Sequence, residues 1–233
     1  MHFSTKTYFK WATVFKYLVN PLVVYTDSEE FKELMERLRS DRVNNTMIYL
    51  TNRTDFWPFR LLNDVRSVCN VPGYPKNHPN TVVPEYTTTQ HSKYAVVADT
   101  VRKQVFQNPY YAWLDIGYFR DEVDKNVQFE LEIPPGFDSK RVSYNRIGEF
   151  FKNVDPFTIF RNTLLWVCGG MFLGTGEVFL QFEQLYHRAV LYFLGEKLMN
   201  TDQRLLYSIY SEKGREALTP NVELHLYISE RTW

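Results

Sequence analysis

The chain has 233 residues, of which 44% are hydrophobic and 17% aromatic, so it can bury a sizeable core, and we expect a single domain over 1–233. Lysine plus arginine and aspartate plus glutamate are equal at 27 each, which gives no sign of a nucleic-acid partner. No apolar run reaches the length of about 18 residues that spans a bilayer, and two cysteines are too few for a disulfide scaffold.

A strand-helix-strand unit opens the predicted fold. The apolar run PLVVYTD, residues 21–27, is typical of a strand that is buried on both faces. Asp27 and Glu30 match a D-x-x-E capping box, which predicts a helix directly after this strand. A second apolar run, TMIYLT, follows at 46–51. Two short strands joined by a helix indicate a parallel pair.

The middle of the chain alternates between irregular and regular patterns. Residues 55–89 are rich in proline, asparagine and aromatics, which predicts an irregular loop region with at most a short helix near 61–68. From Tyr94 onward, apolar residues recur at i+3, i+4, i+7 and i+11, which predicts a helix over 90–107. The segment WLDIGYFRD, 113–121, then follows as a strand that ends on an aspartate.

The second half of the chain predicts further strands and helices. The segment RNTLLWVCGGMFLGTGE, 161–177, is an apolar strand that ends in glycines, and a long helix follows over 177–197. Thr201 caps a helix that begins DQRLL and closes near Gly214. VELHLYI, 222–228, alternates apolar and polar residues as a half-exposed strand does. These elements predict one α/β domain with a mixed sheet.

Asp115 is the strongest candidate for a functional carboxylate. Ligands of open α/β sheets bind beyond the carboxyl ends of the strands, and Asp115 is predicted at such an end. A carboxylate there, with Gly117 letting the backbone approach a bulky ligand, suits a divalent cation that holds a diphosphate. Alternatively, Asp115 caps the next turn and Gly117 only forms that turn. The spacing alone leaves both interpretations open.

Four other residues have both a structural and a functional interpretation. Gly169 and Gly170 can let the main chain pass close to a sugar, but their pattern is neither a G-x-G-x-x-G fingerprint nor a P-loop and favours a structural role. Asp202 is stabilised at a helix start by the macrodipole, and in a cleft it could act as a general base. His225 lies on the polar face of the last predicted strand, where a histidine is more often solvated than a metal ligand.

Four segments in order carry a resemblance to a known family: PLVVYTD, NPYYAWLDIGYFRD, CGGMFLGTGEVFLQFEQLYH and TDQRLLYSIY. They resemble the HtrL/YibB family, which is similar to glycosyltransferases of the GT-A fold, and the match covers roughly residues 8–210. The resemblance implies a GT-A-like single domain with a mixed, mostly parallel central sheet flanked by helices. It also implies transfer of a sugar from a nucleotide-diphosphate donor to a glycan or protein acceptor, assisted by Mn²⁺ or Mg²⁺.

The resemblance also implies roles for individual residues. In GT-A enzymes a D-x-D motif binds the metal that bridges the two phosphates. The matching positions here are Asp115, Ile116 and Gly117, so the first carboxylate is present and the second is replaced by glycine. Asp115 is therefore the expected ligand of metal and diphosphate, with Asp121 or Asp124 as helpers.

Further matches complete the expected site. Gly169 and Gly170 resemble the segment that lies under the donor sugar in GT-A enzymes. Asp202 resembles the acidic residue of these enzymes that starts a helix near the reacting centre. His225 matches the histidine that completes the metal site in glycogenin-like transferases. Lys93 is a candidate phosphate contact, with a solvated surface lysine as the alternative.

Two departures from the family pattern open a second hypothesis. GT-A domains begin with a strand that has no counterpart here, because the chain opens near the first helix, TYFKWATVFKYL at 7–18. Together with the missing second carboxylate, this favours a catalytically silent relative that binds glycans or a partner. Two sequons, Asn44-Asn45-Thr46 and Asn52-Arg53-Thr54, would place a longer parent protein in the Golgi or secretory lumen if used, whereas a complete chain would be cytoplasmic.

Overall fold

The computed structural model describes residues 4–228, in which helices pack around two β-sheets. The helices α1 to α9 span Thr5–Ala12, Glu29–Leu38, Trp57–Arg60, Leu62–Cys69, Pro84–Lys103, Pro156–Arg161, Gly176–Gly195, Asp202–Tyr210 and Glu212–Leu218. The strands β1 to β6 span Leu22–Thr26, Thr46–Leu50, Tyr110–Leu114, Val142–Arg146, Val167–Thr175 and Leu224–Ile228. The predicted α/β class is confirmed. Among these residues, no helix is long and apolar enough to cross a membrane.

The described strands form two separate sheets. β1 and β2 pair in parallel, as the predicted strand-helix-strand unit requires. The second sheet has the order β3-β5-β4-β6, in which β5 is antiparallel to both β3 and β4, and β4 is parallel to β6. The mixed character is therefore confirmed, but the expectation of a mostly parallel central sheet is wrong. The sheet differs because β5 runs antiparallel to both of its neighbours, β3 and β4. One of these neighbours, β4, is an unpredicted strand that lies between β5 and β6.

The region 55–89 is more helical than its composition predicts. It contains α3 and α4 and the first turns of α5, which starts at Pro84 and not at 90. The early start was not visible because the inward side chains of these turns are polar, including the fully buried Thr87 and Thr88. The helix also ends before 107, since Gln104 adopts a left-handed conformation with a φ of 47°.

Two helix boundaries differ from the predicted ones because serine side chains set them. Ser28, and not Asp27, caps α2, because its hydroxyl accepts the N–H of Phe31 at 3.2 Å. Ser211 divides the helix predicted after Thr201 into α8 and α9, since its hydroxyl caps α9 by accepting the N–H of Gly214 at 3.2 Å. Gly214 therefore lies inside α9 and does not terminate it.

β3 separates two hydrophobic clusters. The main core, on one face, has more than thirty buried residues, drawn largely from α5, α7, α8 and the four-stranded sheet. Tyr111 and Trp113 of β3 pack against it. The small cluster lies on the other face, and Leu114 of β3 packs at its border. Its buried members are Ala12, Val14, Phe15, Leu18, Met35 and Val123. Side chains of alternate β3 residues thus reach different clusters, as a strand requires.

The small cluster is held to β2 by a buried arginine. Arg39, after α2, is 1% exposed. Its guanidinium donates to the Phe15 carbonyl at 2.9 Å, to the Leu18 carbonyl, and to the Asn20 carbonyl at 3.2 Å. It also donates to the hydroxyl of Thr46 at 2.8 Å. Burial lowers the pKa of Arg39 to about 10, which leaves it charged at neutral pH.

β1 differs from the strand buried on both faces that its sequence predicts. All five of its residues are only half-buried, because one edge of β1 pairs with β2 and the other faces open space. A strand of that composition normally lies inside a sheet with neighbours on both sides. The two-stranded sheet is thus incomplete on the side that faces β3.

Candidate functional site

Asp115 lies directly after β3, where the sequence predicts it. Its N–H donates to the Gly170 carbonyl at 2.8 Å, which continues the β3-β5 ladder by one residue. Its Oδ1 accepts the indole N–H of Trp113 at 2.7 Å. No backbone N–H of the described residues donates to its carboxylate, so the side chain does not cap the next turn. Its fold position therefore leaves the carboxylate available for other partners.

Lys93 is the main partner of Asp115. Its ammonium lies 3.1 Å from Asp115 Oδ1 and donates to the Gly169 carbonyl at 2.8 Å. The lysine side chain is 3% exposed, so the interpretation of Lys93 as a solvated surface lysine is wrong. Helix α5 places the ammonium behind the sheet, beneath the end of β3. Its expected contact with a phosphate is not tested, but the structure shows a carboxylate contact.

Asp202 is the second carboxylate at this ammonium. It is the first residue of α8, its side chain is 2% exposed, and its Oδ2 lies 3.4 Å from Lys93 Nζ. That oxygen has no hydrogen bond from the described residues. Asp202 therefore lies behind β5, where it acts on Asp115 through Lys93 and is closed off from a ligand on the other side of the strand.

The two buried members of the cluster have shifted pKa values. Burial raises the pKa of Asp202, and Lys93 only partly offsets this. Burial alone would lower the pKa of the Lys93 ammonium, but Asp202 and Asp115 outweigh it, so the pKa is raised and the lysine stays charged. The charged lysine therefore has a buried carboxylate on one side and the half-exposed carboxylate of Asp115 on the other.

The two glycines of β5 serve opposite faces of the strand. A Cβ on Gly169 would lie 2.7 Å from Asp202 Oδ2, so this glycine makes room for the buried carboxylate. A Cβ on Gly170 would lie 3.1 Å from the Tyr118 ring and 3.7 Å from Asp115 Oδ2, on the face of the exposed carboxylate. The pair therefore has one structural member and one member that borders the candidate ligand space.

Gly117 is required by a contact inside the protein. A Cβ there would lie 2.9 Å from the Trp11 ring, which packs against this turn from α1. The alternative of a structural glycine is therefore the one that the geometry supports. The same position is where a D-x-D motif would carry its second carboxylate, and the Trp11 ring occupies the space next to it.

A large cavity opens at these residues. Its volume is about 2440 Å³, well above the range of about 300–1,000 Å³ that is typical of small-ligand sites. Asp115, Gly117 and Gly170 line it, and the Asp115 side chain is 38% exposed. The cationic side chains that line the same cavity are Arg53, Arg120, Lys125 and Arg146. Three of these cations pair with acidic side chains that also line the cavity: Arg53 with Asp27, Lys125 with Glu122, and Arg146 with Glu149.

His225 is not part of this constellation. It lies on β6, opposite Ser143 of β4, and its ring contacts that of Tyr227 with centroids 4.8 Å apart. β6 and β3 are the two edges of the sheet, three strand spacings or about 14 Å apart. The structure therefore does not bring His225 together with Asp115.

A divalent cation at this site stays a prediction, with Asp115 as its expected protein ligand. No three His, Cys, Asp or Glu side chains of residues 4–228 form a group that could hold a metal. Mg²⁺ sites often use one or two carboxylates and take their other ligands from substrate phosphates and water. The half-exposed carboxylate of Asp115 is the side chain that would hold such an ion.

Sequence reasoning missed Trp113 as part of the site. A spacing of two residues on a strand places Trp113 and Asp115 on the same face, so the W-x-D pattern carried a usable signal. It also missed that Lys93 joins Asp115 and Asp202. No local pattern could reveal that, because the three residues come from α5, the end of β3 and the start of α8.

Comparisons with known proteins give one match. A family model described as "Bacterial protein of unknown function (HtrL_YibB)" matches residues 2–215. No curated protein and no solved structure matches the chain.

Proposed function

The chain belongs to the HtrL_YibB family, a family without an assigned function, and from its site we propose that it is a glycosyltransferase. It would move a sugar from a nucleotide-diphosphate donor to a glycan or protein acceptor. The observation that carries the proposal is Asp115, a half-exposed carboxylate at the carboxyl end of β3, held from behind by a buried lysine and open to a large cavity. The likeness to the GT-A fold stays a prediction.

Asp115 is the residue that would hold the donor. Its carboxylate, together with diphosphate oxygens, would bind Mn²⁺ or Mg²⁺, which supplies charge neutralisation of the departing nucleotide. Trp113 donates to Oδ1 of this carboxylate, and the Lys93 ammonium lies 3.1 Å from Oδ1 and donates to Oδ2 at 3.3 Å, so the orientation of the carboxylate is fixed. A ligand of fixed orientation needs no reorganisation when the substrate binds.

Lys93 and Asp202 would tune the site from behind the sheet. Lys93 holds Asp115 in place, and Asp202 balances the lysine charge so that Asp115 keeps its attraction for a cation. Asp202 is therefore proposed as a positioning residue and not as the general base, since its oxygen lies beside Gly169 on the buried face of β5.

The cavity provides further groups suited to a nucleotide sugar. Arg120 lies on the turn after Asp115, where one of its guanidinium nitrogens lies 3.5 Å from the Gly117 carbonyl, so its charge is close to the proposed diphosphate position. Gly170 lines the cavity beside the Tyr118 ring. Tyr25 and Tyr86 also line the cavity and offer aromatic surface to a base.

A ligand screen tests the proposal directly. Thermal stability of the protein would be measured with a panel of nucleotide sugars, with and without Mn²⁺, and donor turnover would be followed by release of the nucleoside diphosphate. We expect at least one donor to stabilise the protein in a Mn²⁺-dependent way, because a ligand that binds only the folded state adds to its stability. No response to any donor, with or without Mn²⁺, would contradict the proposal.

Paired variants separate the site from general effects on the fold. Asp115→Asn keeps the shape and removes the charge, and we expect it to reduce turnover by about 100-fold or more. Asp64→Asn makes the same change on the exposed surface of α4, away from the cavity lining, and should leave turnover unchanged. Equal turnover in both variants would exclude Asp115 as the donor ligand.

A catalytically silent protein that binds glycans or a partner is the second candidate. The contact of Gly117 with Trp11 favours it, because a side chain at position 117, where the expected second ligand carboxylate would stand, would meet the Trp11 ring. In that case glycan binding measured by calorimetry would survive both EDTA and Asp115→Asn. Donor turnover that is lost on either treatment would decide for the transferase.

A further inference from the structure

Each of the two sheets ends in an unpaired strand edge at the same cavity. Within residues 4–228, β1 pairs only with β2, and β3 pairs only with β5. All five residues of β1 and all five residues of β3 line the cavity. Two free edges therefore face one space, here called the β1–β3 slot.

The register shows which backbone groups of β1 point into the slot. The N–H of Thr51 donates to the Thr26 carbonyl across the pair with β2. Residues that bond to a parallel neighbour alternate along a strand, so Val23 and Tyr25 direct their N–H and C=O groups to the other side. No described residue forms a hydrogen bond with these outward groups.

β3 presents the same pattern on the opposite side of the slot. The N–H of Asp115 donates to the Gly170 carbonyl, and the N–H of Gly176 donates to the Pro109 carbonyl. The odd-numbered positions of β3 therefore bond to β5, and the even-numbered ones, Tyr110, Ala112 and Leu114, point away from it. Among the residues that the structure describes, the slot thus has a row of unpaired backbone donors and acceptors along each side.

The other two walls of the slot are apolar or mixed. Leu22 and Val24 extend from β1 into the small cluster, whereas the hydroxyl of Tyr25 donates to Asp99 of α5 at 2.8 Å. One wall is therefore the small cluster and the other is α5, whose Val96 and Val97 line the cavity. Side chains that entered the slot alternately up and down would meet these two walls.

The small cluster shows what the slot lacks. It has six fully buried residues but twelve partly buried ones, including Phe31 and Ile48, whereas partly buried residues are a minority in the main core. Half-buried apolar side chains on both sides of two free edges are typical of a sheet from which a neighbour is missing.

We propose that the β1–β3 slot receives an extended apolar peptide segment of about five residues, which pairs with β1 on one side and β3 on the other and joins the two sheets. Only an extended backbone offers N–H and C=O groups alternately to both sides at strand spacing. A small apolar ligand would fill volume but leave both rows of backbone groups without partners, which is costly once water is excluded.

Hydrogen exchange of individual amides, resolved by NMR, tests this. The probe is a capped peptide of about seven residues, with valine and isoleucine between two terminal lysines. We expect the exchange rates of the Val23, Tyr25, Ala112 and Leu114 amides to fall by a factor of about ten or more when the peptide is bound. The amide of Leu50 provides the control, because it lies on the outer edge of β2, away from the slot.

Backbone methylation of the probe distinguishes pairing from simple filling. One version carries N-methyl groups on alternate residues, and a second carries them on the remaining residues. Each keeps the side chains but removes the donors on one side of the strand, so both should bind at least about tenfold more weakly. Loss of binding for only one version would mean pairing with a single edge, and equal binding for all three would mean apolar filling. Either result overturns the proposal.

A variant of the protein gives an independent measurement. Ala112→Pro removes an N–H that points into the slot and is not used by β5. We expect it to weaken binding of the probe about tenfold, while Leu50→Pro, the same change on the outer edge of β2, leaves binding unchanged. If Ala112→Pro does not fold, the methylated probes still decide.

A second copy of the chain is the remaining occupant to exclude. If the amides of Val23 and Ala112 are already protected without the probe, and the protection grows with protein concentration, copies of the protein fill the slot and the peptide proposal is wrong. Protection that appears only with the probe, on both strands, supports it.

Discussion

The main core and the small cluster differ in how completely their apolar side chains are buried. The main core is mostly apolar and well closed, and its aromatic rings stack on one another, as Tyr94 does on Tyr186 with centroids 3.8 Å apart. Buried hydrogen bonds, such as that between His91 and the Tyr186 hydroxyl, add to this packing. The small cluster is open toward the β1–β3 slot and is held by the hydrogen bonds of Arg39. In the small cluster, where apolar burial is incomplete, the hydrogen bonds of Arg39 help to hold the neighbouring elements together.

Lys93, beside the main core, and Arg39, in the small cluster, are both buried cations, and they differ in their partners. Lys93 is balanced by two carboxylates. Arg39 faces carbonyl and hydroxyl oxygens and no carboxylate. A guanidinium has enough donors to saturate several neutral acceptors, whereas an ammonium in a dry site depends on opposite charge. The lysine therefore belongs to a site with electrostatic consequences, and the arginine to the framework.

The largest contrast should appear when a phenylalanine is removed from each region. Phe182→Ala in the main core, where the ring is fully buried, should lower the free energy of unfolding by about 4 kcal/mol. Phe31→Ala in the half-buried border of the small cluster should lower it by only about 1 kcal/mol, because one side of that ring already meets solvent. Urea unfolding of both variants measures this, and equal losses would show that the small cluster is closed.

Removal of the buried lysine should have the next largest effect. Lys93→Met leaves Asp115 and Asp202 without their shared counter-ion and should cost about 3 kcal/mol. Asp202→Asn leaves one ammonium facing one carboxylate and should cost clearly less. Chemical denaturation at neutral pH compares the two variants. A larger loss for Asp202→Asn would reverse the assignment of Lys93 as the centre of the cluster.

Arg39→Met should destabilise the protein by about 2 kcal/mol, since it leaves buried carbonyls, including those of Phe15 and Leu18, without donors. Arg37→Met, on the exposed face of α2, is the matched control and should change stability by no more than about 0.5 kcal/mol. The loss should be local, so hydrogen exchange in α1 and β2 should rise before that in α7. A uniform rise over all helices would contradict the framework role of Arg39.

The smallest expected effect is a pH dependence that belongs to the main core. His91 is buried between the Tyr186 hydroxyl and the Asn200 carbonyl, and burial lowers its pKa to about 4. As pH falls below the ordinary histidine value of about 6.5, the unfolded chain takes up a proton that the folded protein excludes until about pH 4. Stability is therefore lost as pH falls through this window, by about 1 kcal/mol from pH 7.5 to 5.5.

Thermal unfolding over that pH range, compared between the protein and His91→Gln, isolates the contribution of His91. The variant should lose the part of the slope that the histidine supplies. An unchanged slope in His91→Gln would assign the pH dependence to other groups.

Patterns local in sequence were predictable, and contacts between distant segments were not. The β1-α2-β2 unit, the position of Asp115 after β3 and the long helix α7 follow from apolar spacing and turn residues. The first turns of α5 were missed because polar residues such as Thr87 and His91 face inward there, so burial and hydrophobicity disagree. β4 was missed because three of its five residues, Ser143, Asn145 and Arg146, are polar, so it does not form an apolar run.

The same distinction between local patterns and long-range contacts applies to the candidate site. Asp115 could be found because strand ends and carboxylates are both visible in a sequence. The burial of Lys93, the enclosure of Asp202 behind Gly169 and the separation of His225 from Asp115 depend on which strands are neighbours. That order follows from β4 entering between β5 and β6, which no local pattern indicated.

The two edges of the β1–β3 slot also bear on how the protein behaves at high concentration. Neither LVVYT of β1 nor YYAWL of β3 contains a lysine or proline, the residues that normally prevent exposed strand edges from pairing with other molecules. The small cluster and α5 flank these edges on either side. A strand bound as proposed would pair with both edges at once, so its binding would also lower the tendency of the protein to aggregate.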